Sequence, residues 1–293
     1  MSPLALCLVL AAALLHASWN LVAKKAGGGN HFVLLGALFV AFLWAPAAVW
    51  VGVEAVARLG VREWAVLGLS AVLHVLYFRT LLHGYRVADL TVVYPVARGS
   101  GPLLSSLGAV ALLGEWLSLV SAAGALAVVC GVFLIAGGPG LWRKAHEPTQ
   151  RERVRRGVLW GALTGAFIAG YSVIDGYAVK LLLLSPILVD YIGNLLRVPV
   201  MLPFALRDPR GFVQALRSQW RPALVVATLG PLSYVLVLYA VTMAPLSHVA
   251  PAREVSMLFA ALLGGQLLGE GDRALRLLGA AGIALGVAGL ALG

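Results

Sequence analysis

The chain has 293 residues, 61% hydrophobic and only 12% charged, with 22 Lys+Arg against 12 Asp+Glu and a formal net charge of +10; a soluble domain carries about 25% charged residues. A soluble globule of this composition would expose large apolar patches, which soluble monomers avoid. A soluble enzyme, a nucleic-acid-binding domain and a disordered chain are therefore excluded, and what remains is a polytopic membrane protein whose Lys and Arg gather in loops.

In chain order, a window of about 19 residues predicts ten spans: Pro3–Val22, Phe32–Val53, Trp64–Gly84, Leu90–Leu113, Leu117–Gly137, Gly157–Val179, Ser185–Leu206, Pro222–Met243, Leu246–Leu268 and Leu275–Leu292. Their lengths suit helices, because a barrel strand needs only about ten alternating residues. The first span lacks a basic n-region and is followed, not preceded, by Lys24 and Lys25, so it reads as a retained helix rather than a signal peptide. Cys7 and Cys130 lie in apolar runs and offer neither a disulfide framework nor a metal set.

The expected fold class is an all-α polytopic membrane protein with ten transmembrane helices. Residues 1–137 form a first five-helix repeat, 138–156 a basic linker and 157–293 a second, inverted repeat around a central cavity. The linker carries Arg143, Lys144, Arg151, Arg153, Arg155 and Arg156. On its side of the membrane also fall Lys24, Lys25, Arg86, Arg207, Arg210, Arg217, Arg221, Arg273 and Arg276; the opposite side holds little more than Arg58, Arg62 and Lys180. Charge bias thus predicts a cytoplasmic linker and external termini, in a cell inner membrane.

The two halves align at an offset of 155 residues. Arg253 falls on Arg98, Ala252 on Ala97, Gly269-Glu270 on Gly114-Glu115, Gly279 and Gly286 on Gly124 and Gly131, and Lys180 on Lys25. Five spans per half is an odd number, so the second half enters the membrane inverted. That arrangement places a substrate site near the midplane in many secondary transporters.

Three stretches also carry a resemblance: His16-Ala-Ser-Trp-Asn-Leu-Val-Ala-Lys-Lys25; Tyr94-Pro-Val-Ala-Arg-Gly-Ser-Gly-Pro-Leu103 with Leu113-Gly-Glu115; and Pro251-Ala-Arg-Glu-Val-Ser256 with Leu268-Gly-Glu270. They resemble EamA-type permeases of the drug/metabolite transporter superfamily. The resemblance implies ten helices, a central cavity and export of small metabolites or amino acids. Many such permeases keep both termini in the cytoplasm, and the charge count here argues the reverse.

Ionisable residues within spans are costly and mark candidate sites. Arg98 and Arg253 enter from opposite faces, and their guanidinium forks suit a carboxylate or phosphate; the structural alternative is a salt bridge, most simply Arg253 with Glu254 or Asp175. Adjacent residues on a helix face different ways, which argues against direct Arg253–Glu254 pairing. It leaves Arg98, with no acid in its own span, as the freer cation, and Arg253→Ala as the more damaging variant. His16, Trp19 and Asn20 share one face of the first span, and Tyr171 and Asp175 share the equivalent face of the sixth. Asp175 or His16 could carry a coupling proton, or simply bond between helices. Tyr77, Tyr234 and Glu254 complete the candidate substrate lining. Asp190, Asn194 and Arg197 form a stripe that could neutralise itself. Arg79 and His83 share a face and could snorkel to the interface. Glu115 and Glu270 read as symmetric caps of the fifth and tenth helices, the glycines as packing positions, and Pro95, Pro102, Pro245 and Pro251 as kinks.

These readings lead to a secondary transporter, not an enzyme: a monomer in the lipid bilayer exporting small polar or amphipathic molecules such as amino acids by alternating access, proton-coupled if Asp175 titrates. No cofactor and no nucleic acid are expected, since HExxH, GxSxG, P-loop and metal-ligand patterns are missing from the sequence. The alternative is a multidrug or organic-cation exporter of the same fold; the two Arg residues argue against it, because a cation site wants an unpaired buried carboxylate.

Overall fold

The computed structural model describes residues 1–26, 29–135, 148–263 and 273–293, and every regular element among them is a helix. In order these are α1 (Pro3–Lys25), α2 (Asn30–Leu43), α3 (Ala45–Ala57), α4 (Val61–Val87), α5 (Leu90–Leu113), α6 (Leu119–Ile135), α7 (Pro148–Lys180), α8 (Pro186–Arg207), α9 (Pro209–Met243), α10 (Leu246–Ala252), α11 (Val255–Leu263) and α12 (Arg273–Leu292). Among the described residues, seven helices are singly long and apolar enough to cross a membrane, and α2 with α3 makes an eighth. The protein is a multi-pass membrane protein.

Several predicted spans are reshaped. Phe32–Val53 is not one rod: it breaks at Trp44 and bends by 49°, where Pro46 cannot donate to the preceding turn. Beside the break the Ala41 carbonyl, whose helical donor would have been Ala45, accepts from the Tyr191 hydroxyl at 2.9 Å. The predicted sixth and eighth spans are the ends of longer helices. α7 and α9 run 33 and 35 residues, about 50 Å each against a core of about 30 Å. Residues 148–156 of the expected linker are thus the first turns of α7, where Glu152 pairs with Arg156 at 2.9 Å. Asp208 caps α9 by accepting from Gly211 N at 2.9 Å and holds His31 at the start of α2 at 3.1 Å. Where the fifth span was expected stands α6, an apolar helix of 17 residues that is shorter than the spanning helices. The ninth is divided into α10 and α11 at Arg253-Glu254. The rest of the linker, residues 138–147, together with Gly269 and Glu270, lies outside the described residues.

Close approach between helices is set by glycine. A Cβ on Gly124 would fall 2.7 Å from the Gly286 carbonyl oxygen, and one on Gly279 would fall 2.7 Å from that of Gly131. α6 and α12 therefore pack antiparallel with backbones in contact, as the glycine spacing predicted. The two contacts exchange with one another under the 155-residue offset. Parallel helices α5 and α7 meet the same way: a Cβ on Gly161 would meet the Val93 carbonyl oxygen at 2.8 Å, and one on Gly165 the Gly101 nitrogen at 3.0 Å. α1 packs along α9, and α4 along α7, so each half buries its helices against the other. The largest cluster of buried side chains takes residues from both halves, including Val9, Leu67, Val128, Val241, Ile283 and Leu290.

Candidate functional site

The division of α10 from α11 follows from Pro251. Its ring supplies no N–H, so the Ser247 carbonyl loses its helical donor. Ser106 of α5 replaces it, its hydroxyl 3.0 Å from that carbonyl. The chain then winds more tightly: Glu254 N donates to Pro251 O at 2.9 Å and Met257 N to Glu254 O at 2.8 Å, the three-residue spacing of a 3₁₀ turn. This turn places Arg253 and Glu254 in the protein interior, where Glu254 is 1% exposed.

Glu254 faces α5. Arg98 Nε lies 3.0 Å from its Oε2, and Arg253 Nε lies 3.9 Å from its Oε1. The Arg98 contact is ionic and off the N–H axis, so neither carboxylate oxygen receives an aligned hydrogen bond among the described residues. Arg98 also donates to Ser256 Oγ at 2.9 Å and sits 6.0 Å from the centre of the Tyr94 ring. This reverses the expectation that Arg98 is the freer cation. It spans the two halves with an ion pair and a hydrogen bond, whereas Arg253 makes no hydrogen bond through its side chain among the described residues. Two guanidinium groups around one carboxylate leave a buried excess of one positive charge.

A second polar group stands beside it. Asp175 of α7, 1% exposed, accepts from Ser70 of α4 at 2.5 Å and from the Tyr234 hydroxyl of α9. His74 stacks on Tyr171 with ring centres 3.9 Å apart and lies 3.3 Å from Ser70 Oγ. Tyr171 is also edge-on to Tyr77 at 5.7 Å and to Tyr234 at 6.4 Å. Three helices thus bring together Ser70, His74, Tyr77, Tyr171, Asp175 and Tyr234. Arg253 is within electrostatic reach of Tyr171, Asp175 and Tyr234.

The first-span candidates join from one side. His16 feels both Arg98 and Arg253 and meets Trp19 edge-on at 5.0 Å. The Trp19 Nε1 is buried and has no hydrogen-bond partner among the described residues. Asn20 turns its amide back onto the His16 carbonyl at 2.7 Å, so it closes its own helix rather than reaching across. In α8, Asn194 donates to Asp190 at 3.1 Å and accepts from Arg197 at 3.3 Å. The stripe read as self-neutralising is therefore a relay through Asn194. Sequence reasoning missed Ser70, Ser106 and Ser256; Ser70 was open to it, being at i, i+4, i+7 spacing with His74 and Tyr77. Among the described residues, no group of three or more His, Cys, Asp or Glu converges as metal ligands.

Glu115 departs from its expected role. It does not cap α6, which follows it. Its Oε1 accepts from Leu246 N at 2.7 Å and its Oε2 from Ser247 N at 2.9 Å, at the start of α10 in the other half. Lys180, at the end of α7, donates to Oε1 at 2.6 Å. Burial pushes this carboxyl up, but the Lys180 bond and the two backbone N–H groups outweigh it and hold it below its ordinary range.

Residues 155–292 match the family model of the EamA-like transporter family. The matched residues include Asp175, Tyr171, Tyr234, Arg253 and Glu254, and Arg98 meets Glu254 from outside the match. No curated protein matches the chain. A solved structure described only as "Crystal structure of protein" is similar over 98% of this chain and 96% of its own, with a TM-score of 0.73 and 21% identity; that likeness is one of fold.

Proposed function

We propose that this EamA-type protein is a secondary transporter, not an enzyme, that exports small polar or amphipathic metabolites, amino acids first. It works by alternating access between two inverted five-span repeats. The repeat reading is supported by the reciprocal Gly124–Gly286 and Gly131–Gly279 approaches and by the matched packing of α1 on α9 and α4 on α7. Its basic face is cytoplasmic in an inner membrane, and its termini are external.

One observation carries the site: the buried Arg98–Glu254–Arg253 triad, held between the halves with one positive charge in excess. A substrate carboxylate on Arg253 would balance that charge. Trp19, Tyr77, Tyr171 and Tyr234 offer apolar surface with polar tips, suited to an amphipathic solute. The excess charge disfavours an organic cation. Asp175, between two hydroxyl donors, is the proton-coupling group of this reading, and His16, near Arg98 and Arg253, is the second candidate.

The test is a metabolite comparison of cells with and without the protein, then transport of the identified solute into vesicles by purified variants. Arg253→Gln should fold and lose transport; Asp175→Asn should keep counterflow exchange and lose gradient-driven transport. Full transport by Arg253→Gln would sink the site, and an unchanged pH dependence in Asp175→Asn would reduce Asp175 to a structural role.

A further inference from the structure

Helix α4 carries two polar stripes. Ser70, His74 and Tyr77 turn inward to Asp175 and Tyr171. A different face carries Arg79, His83 and Arg86, again at i, i+4, i+7, and all three are exposed. Toward the other end of the helix the same face continues as Leu69, Val72 and Leu76, exposed by 46%, 54% and 37%. One continuous stripe is therefore apolar along its first half and basic along its second.

The basic half lines a cleft of about 390 Å³. Asn30 of α2, Trp160 of α7 and Met201 of α8 form its other walls, and Leu76 begins its apolar end. The His83 ring lies 4.3 Å from that of Trp160, and the Thr164–Thr80 hydrogen bond at 3.3 Å closes the back. Neither Arg79 nor Arg86 has an ion-pair or hydrogen-bond partner among the described residues. Arg79 is eight residues from the end of α4 at Val87, about 12 Å along the axis. A guanidinium at that depth in hydrocarbon is costly without a counter-charge. The cleft opens on the basic side of the protein, where anionic lipid headgroups are drawn to Lys and Arg.

We propose that this cleft binds an anionic phospholipid, its phosphate between Arg79 and Arg86 and an acyl chain along Leu76, Val72 and Leu69. Arg79 and Arg86 are about 10 Å apart along the helix, a gap that two long side chains close onto one headgroup. A soluble phosphate shares the charge chemistry but has no use for the apolar continuation of the stripe. The site is separate from the Arg98–Glu254–Arg253 triad, and the proposal does not depend on what the protein transports.

The test uses the full chain purified in detergent. Melting temperature is followed during titration with dioctanoyl phosphatidylglycerol, dioctanoyl phosphatidylcholine or inorganic phosphate, and native mass spectrometry counts retained lipid. Phosphatidylglycerol should stabilise the protein well beyond the other two. R79Q/R86Q should weaken that binding by about twenty-five-fold, roughly fivefold for each guanidinium. R210Q/R217Q, which removes two cations from the same side on α9, should bind as the parent does. Equal stabilisation by phosphatidylcholine, full stabilisation by phosphate alone, or equal loss in R210Q/R217Q would overturn the proposal. If the double variant does not fold, R86Q alone decides: about fivefold weaker binding supports the site and unchanged binding refutes it.

Discussion

Helix α5 and the α10–α11 pair occupy the same place in the two halves of the sequence, yet they solve the same problem differently. Both bring an arginine to the buried Glu254 carboxylate, Arg98 and Arg253. α5 stays one helix through Pro95 and Pro102. The second arm divides at Arg253-Glu254, two residues after Pro251. At the 155-residue offset, Glu254 falls on Gly99 and Ser256 on Gly101. The acid and the hydroxyl that hold Arg98 thus come from one half, and glycines stand at the matching positions of the other. A repeat in sequence is not a symmetric site: one arm supplies the cation that is held, the other the carboxylate that holds it.

The comparison breaks most violently at Glu254. Glu254→Gln removes the only negative charge, among the described residues, that pairs with both guanidinium groups while nearly keeping shape. Breaking a buried ion pair by neutralising one partner costs about 3–5 kcal/mol. We expect poor yield and a sharply lowered melting temperature in detergent. A variant that melts with the parent would show that the triad is not a buried charge network.

Next in size is the contrast between the two arginines. Arg98→Ala should cost about 3 kcal/mol, since it leaves Glu254 with only the distant Arg253 and frees Ser256. Arg253→Ala should cost about 1 kcal/mol, because Arg98 still neutralises Glu254. Melting temperatures of both variants measure the gap. Equal losses would mean that Glu254 is shared evenly and that the two arms are energetically alike after all.

Why the sequence suggested the opposite order is a physical lesson. That the chain is an all-helical, multi-pass membrane protein was legible because it depends on run length and hydropathy, both one-dimensional quantities. Arg98, Arg253, Asp175, Tyr171, Tyr77 and Tyr234 were legible as candidates because polar residues in hydrocarbon are conspicuous. Their partners were not. Arg253 precedes Glu254 directly, but the turn after Pro251 points the acid toward Arg98, and that direction exists only in three dimensions. Glu115 looked like a cap for the helix after it; its actual partners are Lys180, 65 residues away, and two backbone N–H groups 131 and 132 residues away in sequence. Trp44 is apolar, so a hydropathy window passed over the break there, and only Pro46 signalled it.

A smaller effect concerns how the second arm is anchored. Glu115 holds the first N–H groups of α10 and Lys180 together. Its pKa in the folded protein is depressed from its ordinary value of 4.5. A depressed carboxyl stabilises the fold above its unfolded pKa, and that stability fades as pH falls through the folded pKa. The parent should therefore lose melting temperature below about pH 4.5, and Glu115→Gln should be less stable at neutral pH and lose less on acidification. Parallel pH curves for parent and variant would remove the anchor from Glu115.

The smallest expected effect isolates the break itself. Pro251 leaves the Ser247 carbonyl without a backbone donor, and Ser106 supplies one from α5. Ser106→Ala should cost about 1 kcal/mol by leaving that buried carbonyl unsatisfied. Pro251→Ala restores an N–H to the second arm, giving Ser247 a donor within its own helix. In the Pro251→Ala background the Ser106→Ala cost should therefore shrink toward zero. A double-mutant cycle on melting temperatures reads this coupling, because neighbours sharing one acceptor are not additive. Additive losses would mean that the Ser106 hydroxyl serves mainly the Pro102 carbonyl of its own helix, which also lies at 3.0 Å, and that the second arm breaks without help from the first.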